Sequence, residues 1–284
     1  MQVNFKDLAH PYFIGEIGIN HNGDIQIAKK LMDAVSATGW DCAKFQKRNP
    51  DVCVPEHQKE VMRDTPWGRM RYIDYKHHIE FGDEEFGYID RYAKEKPIHW
   101  TASAWDMDSL EFLLKYEVPF VKIASALITD LDLLAETSKS GTPVVMSTGM
   151  STLKEVDEAV NQIMKHGPAP VVMHTNSSYP TPRAELNLNL IPFYAERYGC
   201  VVGYSGHEQD LEPTVLAVAL GAMVIERHIT LSHDMWGTDQ KASLEVHAMH
   251  MLRKRCEDID IILGDANKVV TPSEIPIRKK LRKS

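Results

Sequence analysis

Lysine and histidine stand in unusual company in this chain. Lys44 lies in CAKFQ (42–46), Lys122 in FVKIAS (120–125), His207 closes VVGYSGH (201–207), and His228 lies in MVIERHIT (223–230). Each run is otherwise built for burial, and a buried ionisable side chain needs a partner. Read along the chain, such runs end in Glu16, Lys44 with Gln46, Ser103, Lys122 with Ser125, Ser147 with Thr148, His174 with Asn176, Ser205 with His207, and Glu226 with His228. One buried Lys or Glu is as easily a structural ion pair, but eight run ends together favour a ligand pocket. Two ammonium groups among hydroxyls suit a phosphorylated or carboxylated substrate. His207 and His228, on successive runs, come within reach of one divalent ion and leave coordination positions open, although spacing alone also fits two hydrogen-bonded histidines. Glu16, before the turn His21-Asn22-Gly23, is placed to orient a substrate hydroxyl or shuttle a proton. His57, His77, His78, His247 and His250 read as surface or loop residues.

The runs themselves read as strands: 12–18, 42–46, 98–104, 120–125, 143–148, 170–176, 201–206 and 223–230. Between them lie amphipathic segments such as IAKKLMDAVSATG and LKEVDEAVNQIMKHG, opened by Asp, Ser or Thr or closed by Gly. Strand and helix repeated eight times predict an α/β fold, a closed (β/α)8 TIM barrel, with the polar run ends gathered at its C-terminal mouth. One irregular excursion, from about Arg48 to Gly82, follows strand 2 and is expected to cover part of that mouth. The barrel is expected over residues 1–265, and residues 266–284 as a basic, Pro-containing tail or the start of a linker.

With 284 residues the chain suits one barrel. A formal net charge of −8 opposes general nucleic-acid binding, and no apolar stretch approaches a membrane span. Met1–Pro11 carries Lys6, Asp7 and His10 and lacks the apolar run of a secretory signal, so a cytoplasmic location is expected. Cys42, Cys53, Cys200 and Cys256 form no CxxC pair and read as free thiols.

Taken in order, EIGINHNG (16–23), AKFQ (43–46), KIAS (122–125), STGMS (147–151), SSYPTP (177–182), GYSGH (203–207), ERHIT (226–230) and DQKASLE (239–245) resemble the N-acetylneuraminate (sialic acid) synthase family, from about residue 12 onward. The resemblance implies a transferase that condenses phosphoenolpyruvate with N-acetylmannosamine or a related amino-sugar aldehyde, releasing phosphate and a nine-carbon 2-keto acid. It makes His207 and His228 ligands of a divalent metal, Mn or Mg. It places Lys44, Ser103, Lys122, Ser125, Ser147, Ser177 and Ser205 on phosphoenolpyruvate, and Glu16, Gln46, Tyr179 and Asp239 on the acceptor and its reacting carbonyl. Glu16 is the candidate for proton transfer.

Departures from the family pattern fall mostly on the acceptor side: Leu127 where some members carry Glu, Gly206 where Asp is frequent, and Trp236-Gly237 before Asp239. A 2,4-diacetamido-6-deoxy hexose leading to legionaminic or pseudaminic acid is therefore also an expected acceptor. Family members continue past LRKS into an antifreeze-like domain, so a barrel domain without it is expected, as is a homodimer. Two rivals are a metal-dependent barrel hydrolase, which would need a strand-1 HxH pair that is absent, and a non-catalytic sugar-phosphate or metal-binding barrel.

Overall fold

A computed structural model describes residues 2–282. Its centre is a parallel barrel of eight strands: β1 (Tyr12–Gly18), β2 (Cys42–Lys47), β3 (His99–Ala104), β4 (Val121–Ile123), β5 (Val144–Ser147), β6 (Val171–Thr175), β7 (Val202–Gly206) and β8 (Val224–Thr230). Each strand pairs with its sequence neighbour, and β8 closes on β1 in a register running from Tyr12↔Val224 to Glu16↔His228. The expected (β/α)8 barrel is therefore observed, with most strand ends shifted by one or two residues.

A helix follows every strand. Local chemistry starts many of them: Asp24, Asp106, Asp130 and Thr152 accept a first-turn backbone N–H, and Thr152 with Glu155 forms a capping box. The apolar faces of these helices bury the outer surface of the strands, including Leu31, Phe86, Leu133, Val156 and Leu252.

The barrel interior is layered by the two-residue period of its strands. Tyr12, Ile14, Cys42, Phe120, Val145, Val171, Met173 and Val224 fill its lower part, with Phe5 from the short helix Phe5–Asp7 packed against them. The next inward positions towards the C-terminal end are the polar ones: Glu16, Lys44, Lys122, Ser147 and Glu226. An apolar floor thus lies beneath a charged mouth.

The excursion of residues 48–82 is more regular than the sequence reading allowed. It contains short helices at Pro50–Cys53 and Glu56–Lys59, an antiparallel hairpin of Met62–Thr65 with Gly68–Arg71, and a helix at Tyr72–Ile79. Its elements are short, so no hydrophobic period had room to show. Part of the expected tail is helical as well, at Glu274–Leu281, with every residue exposed. Lys283 and Ser284 of that tail lie outside the described residues. Among the described residues no helix is long and apolar enough to cross a membrane, and the four cysteines are unbridged.

Candidate active site

At the C-terminal mouth lies a cavity of about 220 Å³. Twelve of the thirteen site residues expected from the sequence line it: Glu16, Lys44, Gln46, Ser103, Lys122, Ser125, Ser147, Ser177, Tyr179, Ser205, His207 and His228. Asp239 stands behind the wall, its Oδ2 3.9 Å from His228 Nδ1.

Local backbone chemistry aims these groups. The β1–β2 register shifts between Glu16 and Gly18, a bulge that turns the strand end. Gly18 has φ +54°, and a Cβ there would press Glu16 Oε1 at 3.2 Å and Gln46 Nε2 at 3.3 Å. Its lack of a side chain lets Gln46 Nε2 donate to Glu16 Oε1 at 3.0 Å. Across the mouth, a Cβ on Gly149 would meet Ser177 Oγ at 2.1 Å and Ser125 Oγ at 2.8 Å. Glycine there keeps open a hollow rimmed by two hydroxyls and by the Gly149 backbone N–H, which donates to Ser125 Oγ at 3.0 Å.

Four buried charges form the floor of the site. Lys44 Nζ lies 2.5 Å from Glu16 Oε2 and 3.6 Å from Glu226 Oε1, and Lys122 Nζ lies 3.7 Å from the same Glu226 oxygen. The lysines also donate to hydroxyls, Lys44 to Ser103 at 3.1 Å and Lys122 to Ser147 at 2.6 Å. Each serine accepts there, so its own O–H is directed elsewhere and can meet an incoming anion. Burial opposes charge on Lys44, but Glu16 and Glu226 outweigh it and hold its pKa above the ordinary lysine value. For Lys122 burial wins and brings the pKa down to about 8, although Glu226 counters it. Burial likewise opposes the Glu226 charge, yet Lys122 and Lys44 hold its pKa below the usual carboxylate range.

Beside this floor the two imidazoles converge. Tyr179 Oη lies 2.8 Å from His207 Nε2 and 3.3 Å from His228 Nε2. His207 Nδ1 is 2.6 Å from the Asn176 carbonyl, which can only accept, so Nδ1 carries the proton and Nε2 presents its lone pair. Burial, with His228 adding to it, lowers the His207 pKa to about 3, so the ring is neutral. A neutral imidazole anchored through its far nitrogen is the form that binds metal. His228 Nδ1 is buried without a hydrogen-bond partner, as is Glu226 Oε2.

These residues fit a divalent cation. Two Nε2 atoms point at one spot, now taken by a phenol hydroxyl, with Asp239 behind the second ring. The charges of Lys44 and Lys122 are balanced by Glu16 and Glu226, so a multiply charged anion needs further positive charge. Among the described residues no group of three or more His, Cys, Asp or Glu side chains is arranged around an ion. The remaining ligands of such an ion would be water and substrate, as at an open catalytic site.

Some expected residues face elsewhere. His174 lies opposite 173 and 175 in the strand period, so it points outward and pairs with the Leu186 carbonyl at 2.5 Å. Thr148 donates to the Met173 carbonyl, and the Asn176 amide to that of Glu185. The histidines at 57, 77, 78, 247 and 250 are exposed, as expected. Glu226 was visible at the end of strand 8 but was assigned no role. The signal was its place two residues before His228, on the same face. Trp105, Met150 and Thr175 also line the cavity and carried no chemical signature in the sequence.

Residues 31–268 match the NeuB family. The human N-acetylneuraminate-9-phosphate synthase is 35% identical over 279 residues, covering 97% of this chain and 77% of that protein. The N,N'-diacetyllegionaminic acid synthase of Campylobacter jejuni is 33% identical, covering 95% of this chain and 83% of its own length. Among solved structures, an N-acetylneuraminic acid synthetase from Leptospira borgpetersenii, in complex with citrate, superposes with a TM-score of 0.85 at 28% identity, over 100% of this chain and 98% of that one. The barrel, its strand-end motifs and these similarities over nearly the whole of this chain place it in the NeuB family, as a synthase-type enzyme.

Proposed function

We propose that this protein condenses phosphoenolpyruvate with the open-chain aldehyde of an amino sugar at the mouth described above. The observation that carries the reading is the convergence, in one cavity, of two lysine–serine pairs with two imidazole nitrogens aimed at a common point.

Lys44 and Lys122 hold the donor's anionic groups, with hydroxyls of Ser103, Ser125, Ser147, Ser177 and Ser205 supplying directed donors. His207 and His228 would hold a divalent metal, Mn or Mg, which when bound supplies Lewis-acid polarisation of the aldehyde. Gln46, Tyr179 and Asp239 orient the acceptor. In the reaction the donor's C3 forms a carbon–carbon bond to the aldehyde carbon, whose oxygen takes up the displaced π electrons and then a proton. Water adds to the cationic C2, and the C2–O bond then breaks, its electron pair leaving with phosphate. Glu16, held by Lys44 and Gln46, is the base that accepts a proton from the adding water.

The test is inorganic phosphate release from phosphoenolpyruvate with Mn2+, across N-acetylmannosamine, its 6-phosphate and 2,4-diacetamido-6-deoxy hexoses. Release should require one sugar, disappear with chelator, and fall at least about a thousandfold in His228→Ala, the scale of losing metal-assisted charge stabilisation. Release at the same rate without sugar would overturn the reading.

A further inference from the structure

Behind the wall that carries the two imidazoles lies a polar network that the substrate site does not use. Its members adjoin the histidines in sequence: Glu208 follows His207, and Arg227 precedes His228. The two-residue strand period that turns Glu226 and His228 into the mouth turns Arg227 outward. There Arg227 Nη1 lies 3.0 Å from Glu208 Oε1, with the arginine fully buried and the glutamate nearly so. Tyr204 Oη donates to Glu208 Oε2 at 2.8 Å. Thr214, in the helix Glu212–Ala219, accepts from Arg227 Nη1 at 2.9 Å and donates to Glu208 Oε1 at 3.1 Å.

The register of β7 with β8 ends at Arg227↔Gly206, one residue short of both histidines. Beyond it the arginine side chain takes over. Nη2 donates to the Glu208 carbonyl and Nη1 to the Asp210 carbonyl at 3.2 Å, so the turn that carries His207 is tied to the strand that carries His228. His228 Nδ1 has no hydrogen-bond partner, so the aim of that ring relative to His207 rests on packing and on the two backbones. A Cβ on Gly206 would come within 2.6 and 2.7 Å of the Glu208 carboxylate oxygens, so glycine at 206 is what admits the pair.

We propose that Glu208 and Arg227 are positioning residues for the metal: by tying the turn after β7 to β8 they fix the separation of His207 and His228, and with it the affinity for a divalent cation. The inference rests on the reading of those histidines as ligands. Residues that orient metal ligands without touching the ion change metal affinity about 10–100-fold when altered. A buried ion pair adds little net stability by comparison, since apolar residues of similar volume often replace it without loss.

Titration of the metal-free full chain with Mn2+, read by the electron paramagnetic resonance of the free ion and paired with urea unfolding, separates the two roles. Two variants remove the tie differently. Glu208→Leu combined with Arg227→Met replaces the pair with apolar side chains and should unfold near the urea concentration of the unaltered chain. Arg227→Lys keeps the charge beside Glu208 but loses the planar fork that reaches both carbonyls. In both the Mn2+ Kd should rise at least about tenfold. An unchanged Kd in either variant, once folded, overturns the proposal and leaves the pair a purely structural one. The His228→Ala control tests the underlying reading separately and should abolish binding. If the unaltered chain takes up no Mn2+, or His228→Ala takes it up equally well, the histidines are not ligands and the positioning role falls with them.

Discussion

Lys44 and Lys122 look alike in the sequence, yet the fold gives them different chemistry. Glu16 and Glu226 keep Lys44 charged, while burial leaves Lys122 with a pKa of about 8. Lys122 is thus cationic below about pH 8 and neutral above it. The kcat/KM for phosphoenolpyruvate, which reports the free enzyme, should fall as pH rises through 8, approaching about tenfold per unit. Lys122→Met should flatten that limb, and a flat profile in the unaltered enzyme would contradict the assignment. Glu226 balances both lysines, so Glu226→Gln should cost about 3–5 kcal/mol in urea unfolding, the range for breaking a buried pair by removing one partner. The residue types of this site were legible in the sequence because charges inside apolar runs are rare. The pairing was not, because it depends on which strand ends face each other across the barrel.

Among the elements, the strands were read almost as they fold, since eight apolar runs separated by capped helices leave little choice of architecture. Facing was harder: His174 and Thr148 were read with the site and point outward, because one residue of phase reverses a strand side chain. The excursion was legible only as a long interruption. Two glycines test how backbone shapes the elements. A Cβ on Gly203 in β7 would meet the Val224 carbonyl of β8 at 2.5 Å, backbone against backbone. Gly203→Ala should therefore destabilise by about 1–3 kcal/mol, measured by urea unfolding. On Gly149 the two nearest atoms are serine hydroxyls, which can rotate away, and Ser125 Cβ at 3.2 Å needs a shift of only a few tenths of an ångström. Gly149→Ala should unfold near the same urea concentration but raise the KM for phosphoenolpyruvate tenfold or more. An unchanged KM would remove Ser125 and Ser177 from the donor site.

Over the whole molecule, the excursion reaches along one side of the rim to the loop after β8. Trp67 of the hairpin turn meets Trp236 edge-on at 5.8 Å, and Tyr75 meets the same ring at 5.4 Å. Trp236 belongs to the loop after β8, so these rings join the loops of strands 2 and 8. Trp236→Ala should raise amide hydrogen exchange across 62–71 while the barrel strands keep their protection, since no residue of the hairpin is itself buried. Trp236 was noted in the sequence as a departure from the family pattern, but its partner in the excursion could not be foreseen without the fold. The account as a whole meets its most direct test in phosphoenolpyruvate labelled with 18O at the bridging oxygen, incubated with the amino-sugar panel and Mn2+, with both products weighed by mass spectrometry. It predicts a 2-keto acid three carbons longer than the sugar, and the label in the released phosphate. Unlabelled phosphate, or pyruvate in place of the longer keto acid, would show cleavage at phosphorus without condensation and contradict it.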